Sequence, residues 1–277
     1  MNLKSTSKEI ARVDNLNFSW KDNHVLENIS ISIPENQLIA ILGVNGAGKS
    51  TLLKCINKIL TPQSGNIKIG SENISDLNLV QLSKRVSYVP QSVLTSFSMD
   101  VFDVVLLGRR PHISWRISNN DREKVSTTLK FLNLEDFAFR RFNQLSGGER
   151  QRVVIAKAIV QDPNLFLMDE PTSDLDLKNQ IEVMKCIKNL VSKKEGDKSA
   201  LIAIHDINTA ARFADRVLLL HDRSIFADGS PEEVLTEENI ANVFGVTSEI
   251  IPKSESNPLR VIIKDKTNEY KEKTEEE

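Results

Sequence analysis

The stretch Leu38-Ile39-Ala40-Ile41-Leu42-Gly43-Val44-Asn45-Gly46-Ala47-Gly48-Lys49-Ser50-Thr51-Leu52 decides how the rest of the chain is read. An unbroken apolar pentad reads as a strand buried on both faces, and Leu52 onward reads as a helix. Between them, Gly43 to Thr51 fits G-x-x-x-x-G-K-[ST], in the strand, loop, helix order that this pattern requires. Gly46 and Gly48 let the backbone take conformations that other residues resist and bring N–H groups against phosphate oxygens. The helix N-terminus adds unpaired donors and a partial positive charge. Lys49 supplies a mobile charge for the β- and γ-phosphates, and Ser50 an oxygen for Mg²⁺. The loop Gly43, Val44, Asn45, Gly46, Ala47, Gly48, Lys49, Ser50 and Thr51 is therefore expected to bind a nucleotide.

Outward from this loop, three more runs lack polar alternation: Leu165–Met168, Leu201–Ile204 and Val217–Leu220. With Leu38–Leu42 they predict a parallel sheet covered on both faces. Ile29-Ser30-Ile31-Ser32-Ile33 alternates with period 2 and ends at Pro34, so Ile10–Ile33 predicts an antiparallel layer with one wet face. Val101, Val104, Val105 and then Val125, Leu129, Leu132 recur at helical spacing, which predicts a helical subdomain inserted over about 93–152. The expected domain runs over 1–250. A C-terminal extension over 251–277 follows, nearly all charge from Lys264 and expected to be disordered and solvating.

Composition narrows the function. Thirty-six Lys and Arg against 38 Asp and Glu give a formal charge of -2, which does not advertise nucleic acid as a partner. Cys55 and Cys186 are the only cysteines; they make no disulfide framework and read as core thiols. No run approaches the roughly 18 apolar residues of a spanning helix, and the N-terminus lacks the apolar stretch of a secretory signal.

Leu165–Met168 ends in Asp169-Glu170-Pro171. Adjacent carboxylates at the end of a buried strand are costly unless they serve a cation or a reaction. Side chains alternate along a strand, so the two can divide the work: Asp169 in a Mg²⁺ shell and Glu170 polarising an attacking water. His205 follows Leu201–Ile204 and leaves the sheet at the same edge, making it a second catalytic candidate.

Leu145-Ser146-Gly147-Gly148-Glu149-Arg150-Gln151 resembles the signature of the ABC ATPases. Ser146 and the N–H groups of Gly147 and Gly148, at the start of a helix through Ile159, form a second phosphate trap. The resemblance covers about Ile10 to Gly245 and implies a P-loop NTPase core with an antiparallel β layer and an inserted helical subdomain. It implies ATP and Mg²⁺ as cofactors, and a homodimer in which each trap serves the partner's phosphate loop. Trp20 stands where an aromatic stacks on adenine, and Gln91, after Val86–Val89, where a glutamine touches Mg²⁺. Ser173-Asp174-Leu175-Asp176 resembles the loop that crosses the dimer interface, with Asp176 among the nucleotide-site residues. The implied place of work is the cytoplasmic face of the membrane, on two permease subunits served by an external solute-binding protein.

Val105-Leu106-Leu107-Gly108-Arg109-Arg110-Pro111-His112 is similar to importer ATPases for iron–siderophore chelates, haem and vitamin B12. Two readings of Arg109, Arg110 and Arg116 stand: a solvated basic face, or a segment beside a groove that receives a permease loop. A molybdate or other metal-oxyanion importer is a near alternative, an exporter a more distant one. Chromosome-maintenance ATPases carry a long coiled coil between the two phosphate traps, and no sustained heptads occupy that interval here.

Overall fold

A computed structural model describes residues 8–91, 98–173, 175–192, 196–254 and 257–267. Strands β1 (Glu9–Trp20), β2 (Asn23–Pro34), β4 (Ser64–Ile69) and β5 (Glu72–Asn73) form an antiparallel sheet in the order β2-β1-β4-β5. Within it Ile29, Ile31 and Ile33 are buried while Ser30 is exposed, as the period-2 pattern requires. Strands β3 (Leu38–Leu42), β6 (Val86–Val89), β7 (Leu165–Asp169), β8 (Ser199–Ala203), β9 (Arg216–His221) and β10 (Ser224–Gly229) make a second sheet in the order β10-β9-β3-β8-β7-β6. All its pairings are parallel except β9 with β10.

The unbroken apolar runs are explained by two cores, one on each face of this sheet. Leu38, Ala40 and Leu42 join the core beneath the helices, and Ile39 and Ile41 join the core shared with the antiparallel sheet. Helix α1 (Lys49–Ile56) lies in the second core through Leu52, Leu53 and Ile56. With no face left to water, alternation has nothing to encode.

Helices α2 (Leu79–Ser83), α3 (Val101–Leu106), α4 (Asn119–Phe131) and α5 (Gly147–Val160) come next in the chain. Val101, Val104, Val105, Val125, Leu129 and Leu132 are all in the first core. A tight 3₁₀ turn, Leu107–His112, clasps α3 to the end of α5. A Cβ on Gly108 would stand 2.2 Å from the carbonyl oxygen of Lys157, so only glycine permits that approach. Arg109 donates to Asp121 at 3.0 Å and to the Val160 carbonyl at 2.9 Å. His112 Nε2 lies 2.8 Å from the Gln161 carbonyl. Arg109 is only 5% exposed, which removes it from any solvated basic face; Arg110 and Arg116 remain exposed.

Helices α6 (Leu177–Leu190), α7 (Ile207–Phe213), α8 (Pro231–Val234) and α9 (Glu237–Phe244) complete the helical layer, and β11 (Val246–Ile251) pairs with β12 (Arg260–Lys266) as a hairpin. The charged stretch expected to be solvating from Lys264 is thus corrected at its start. Lys264–Lys266 lie in β12, where main-chain pairing to β11 outweighs the polar composition, and Lys264 also pairs with Glu249. The hairpin is anchored on α7: Asn208 donates to the Val261 carbonyl at 3.0 Å and accepts from its N–H at 2.8 Å. Residues 268–277 lie outside the described residues.

Burial pushes the thiols of Cys55 and Cys186 up to about 12, so both are inert core groups at neutral pH. Among the described residues no helix is long and apolar enough to cross a membrane.

Candidate nucleotide site

The loop after β3 is built by backbone geometry. Gly43, Gly46 and Gly48 have φ of 154°, 84° and 100°. A Cβ on Gly43 would fall 2.3 Å from the Leu220 carbonyl oxygen, and one on Gly48 2.8 Å from the Leu26 side chain. The loop is therefore pressed onto β9 and β2. Lys49 is buried and donates to the carbonyls of Gly43 at 2.7 Å and Val44 at 3.1 Å. Burial lowers its pKa, opposed by the nearby carboxylates of Glu170 and Asp169. An ammonium so enclosed is matched to a ligand that brings negative charge.

Asp169 and Glu170 turn to different partners, but not by strand alternation, because only Asp169 lies on the strand and Glu170 begins the turn after it. Asp169 is the last residue of β7 and is buried; its Oδ1 accepts from the Ser50 hydroxyl at 2.8 Å. A hydroxyl and a carboxylate brought together beside the loop form the oxygen donor set that a hard divalent cation requires, so these residues fit Mg²⁺. Tyr88, on β6, donates to Asp169 Oδ2 at 3.3 Å. Its phenol pKa is raised, first by burial and then by the charge and acceptor of Asp169. Tyr88 was missed at the sequence level. The available signal was its place on the strand leading to Gln91, but nothing in that pattern separates it from a core aromatic.

Glu170 has φ of 46°, a left-handed backbone that a branched or long side chain rarely adopts. The turn is held by Ser173, whose N–H and hydroxyl both donate to the Glu170 carbonyl, at 3.2 and 3.1 Å. Gln91 Nε2 donates to Glu170 Oε2 at 2.9 Å, and His205 Nδ1 stands 3.7 Å from the same oxygen. The strand β8 ends at Ala203 rather than Ile204, and His205 leaves it on the edge where Asp169 leaves β7.

Trp20, Asn45, Gly46, Ala47, Gly48, Lys49, Ser50, Thr51, Gln91 and Glu170 line one open cleft of about 510 Å³, together with Asn23 and Val25, which the sequence reading did not include. Trp20 is half exposed at the end of β1 and is braced edge-on by Phe18, with ring centroids 5.0 Å apart. A larger hollow of about 590 Å³ beside α4 has both of its lysines, Lys124 and Lys198, in ion pairs with Asp162.

Ser146, Gly147, Gly148 and Asp176 do not line that cleft. Ser146 caps α5: its hydroxyl accepts from the Glu149 N–H at 3.3 Å, and Glu149 accepts from the Ser146 N–H at 2.8 Å. That N–H bond, first among its causes, holds the Glu149 carboxyl below its usual range. A helix leaves its first N–H groups without intrahelical partners, here those of Gly147 and Gly148. A Cβ on Gly147 would meet nothing within 4 Å, so the space beside the start of α5 is open. Asp176 caps α6 by accepting from the Asn179 N–H at 2.8 Å. Asp174 lies outside the described residues.

A family model described as ABC transporter matches residues 26–173. An uncharacterized ABC transporter ATP-binding protein of Methanocaldococcus jannaschii is 48% identical over 241 residues, which cover 87% of this chain and 93% of that protein. A petrobactin import ATP-binding protein of Bacillus anthracis is 34% identical over 245 residues, covering 88% and 89%. Among solved structures, a metal-chelate type ABC transporter in an inward-facing conformation superposes with a TM-score of 0.78 at 30% identity, covering 93% of this chain and 97% of that one. A dimeric ATP-binding cassette in a post-hydrolysis state, bound to ADP and phosphate, gives 0.70 at 29% identity, covering 80% and 98%. A phosphate loop, a carboxylate pair and a second trap in one chain, matched over most of its length by such relatives, have one reading: the chain belongs to the ABC transporter family, as an ATP-binding and ATP-hydrolysing subunit.

Proposed function

We propose that this chain is the motor of an importer for metal chelates of the iron–siderophore, haem or cobalamin kind. It works as a homodimer on the cytoplasmic face of the membrane, beneath two permease subunits that receive cargo from an external solute-binding protein. Nucleic acid has no part in this reading. The observation that carries it is the arrangement around Glu170, whose carboxylate lies in the phosphate-loop cleft between Gln91 and His205 while the second trap lies outside that cleft. A site split in this way is completed by a second copy.

In this reading Trp20 stacks on the adenine. The backbone of Gly43–Thr51 and Lys49 bind the phosphates, and Ser50, Asp169 and Gln91 hold Mg²⁺. Bound there, the ion would offset charge on the β- and γ-phosphate oxygens. Glu170 accepts a proton from the attacking water, and His205 steadies Glu170 and the γ-phosphate. Ser146, Gly147 and Gly148 of each copy close on the nucleotide held by the other, next to Asp176. ATP favours the closed dimer by its differential affinity for that state, and hydrolysis releases it. The helical segment of about 93–152 transmits closure to the permease through the groove lined by Leu79, Val80, Arg110 and Ile113. The cargo class is supported by the named roles of the petrobactin, siderophore and cobalamin relatives and by the metal-chelate type structure.

Glu170→Gln is expected to bind ATP, to accumulate as a closed dimer and to hydrolyse about 10²–10⁴-fold more slowly. Tagged and captured from solubilised membranes with ATP, it should bring down a polytopic permease, identified by mass spectrometry, whose uptake assay names the cargo. A wild-type hydrolysis rate would remove the role of Glu170. Capture of soluble partners alone would remove the transporter and leave the ATPase.

A further inference from the structure

The eleven residues 110–120, which run from the end of the 3₁₀ turn through a short loop into the first residues of α4, form a projection whose two ends are stapled together. Arg109 precedes it and Asp121 follows it, and their ion pair closes its base at 3.0 Å with both side chains almost fully buried. Asp121 also accepts from the Ser118 N–H at 3.0 Å and from the Ser118 hydroxyl at 2.6 Å, so the exit from the loop is fixed by the same carboxylate. At the tip stands Trp115, 97% exposed, followed by exposed Arg116 and by Ile117 at 41% exposure. A fixed base that holds an indole in water is difficult to explain by folding alone, because the ring contributes nothing to either core.

The charge around this tip has one sign. No acidic residue occurs from Val104 to Asn120, and Arg109 is matched internally by Asp121. Arg110, Arg116 and Arg122 are exposed, and none of them is in an ion pair among the described residues. Neither Trp115 nor Ile117 lines the adjoining groove of Leu79, Val80, Arg110 and Ile113, and an exposed tryptophan and isoleucine beside unpaired arginines suit a flat amphipathic surface. Indole rings settle at headgroup depth, while guanidinium groups remain with anionic lipid.

We propose that the tip of the segment 110–120 is a membrane-contact prong, in which Trp115 and Ile117 enter the headgroup layer and Arg116 and Arg122 bind anionic lipid. The inference rests on the membrane-facing part of the proposed function, since the groove of Leu79, Val80 and Arg110 assigned to the permease adjoins the prong. It adds a direct lipid contact that the permease does not supply.

The test is sedimentation of the purified full chain with vesicles of phosphatidylcholine alone and of phosphatidylcholine mixed with phosphatidylglycerol. Binding should require the anionic lipid and weaken as salt is raised. Arg116→Gln should lower it about fivefold, and Trp115→Ala should lower it by a similar factor; the melting temperature should be unchanged in both, because both side chains are exposed. Equal binding to neutral vesicles, no binding to either, or binding indifferent to both substitutions would each overturn the prong. Loss of permease capture by Trp115→Ala without any vesicle binding would overturn it in favour of a protein contact. Failure of the transporter reading is separate: it shows when Glu170→Gln captures only soluble proteins, whatever the vesicles do.

Discussion

Gly46 and Gly48 look alike in the motif but carry different burdens. Both have positive φ, yet a Cβ on Gly46 meets nothing within 4 Å, whereas one on Gly48 meets Leu26 at 2.8 Å and the Val25 carbonyl at 3.1 Å. Gly46→Ala carries only the left-handed penalty, about 1–2 kcal/mol, which limits its effect on ATP affinity to roughly 5- to 30-fold. Gly48→Ala must also move β2 against the loop, so its ATP affinity should fall well below that of Gly46→Ala. Titration of both with a fluorescent ATP analogue checks the order; equal losses would show that conformation alone sets the loop. Glu170 is the counterpart among the groups proposed to react. Its left-handed backbone aims a carboxylate at the cleft, and strain of this kind is sustained only where the surroundings hold it, here through Ser173 and Gln91.

At the scale of elements, Gly108–His112 shows what a family pattern means in physical terms. Gly108 allows backbone contact with α5, Arg109 joins α4 and α5, and His112 adds a bond to the Gln161 carbonyl. The hydrogen bonds from Ser118, with help from Arg109, hold the Asp121 carboxyl at about 2, below its ordinary 3.8. A depressed carboxylate contributes stability that is fully present above its unfolded pKa and is lost as pH falls through the folded value. The window is therefore between about pH 4 and pH 2. Asp121→Asn strands the buried guanidinium and should destabilise the chain by about 3–5 kcal/mol near neutral pH. Chemical unfolding at several pH values should show wild type and variant converging as pH drops through that window. A constant gap would mean that Asp121 acts by packing rather than by charge.

At the scale of the whole molecule, Ser146, Gly147 and Gly148 do not line the phosphate-loop cleft, and the proposed function therefore assigns the reaction to a pair of chains. Lys49→Ala spoils the first half-site and Ser146→Arg the second, and each homodimer should be inactive. Mixed in equal amounts, half of the dimers are hybrids with one intact composite site of two, so the mixture should recover about a quarter of the wild-type ATPase rate. No recovery on mixing would mean that both halves act within one chain.

What the sequence determined by itself is whatever short-range chemistry encodes. Runs without alternation disclosed a sheet covered twice, Gly43–Thr51 disclosed a glycine-bent loop between strand and helix, and Asp169-Glu170 disclosed two carboxylates at a strand end, because each depends on neighbours within a few residues. Tertiary structure alone decided matters that depend on partners distant in the chain. Arg109 is a buried staple because Asp121 and Val160 come to it, and Tyr88 touches Asp169 because β6 lies beside β7. Lys264–Lys266 form a strand because β11 supplies the backbone partners that their own charges gave no sign of. A side chain's chemistry is local and legible in the sequence; its burial and its partner are set by packing, which no single stretch contains.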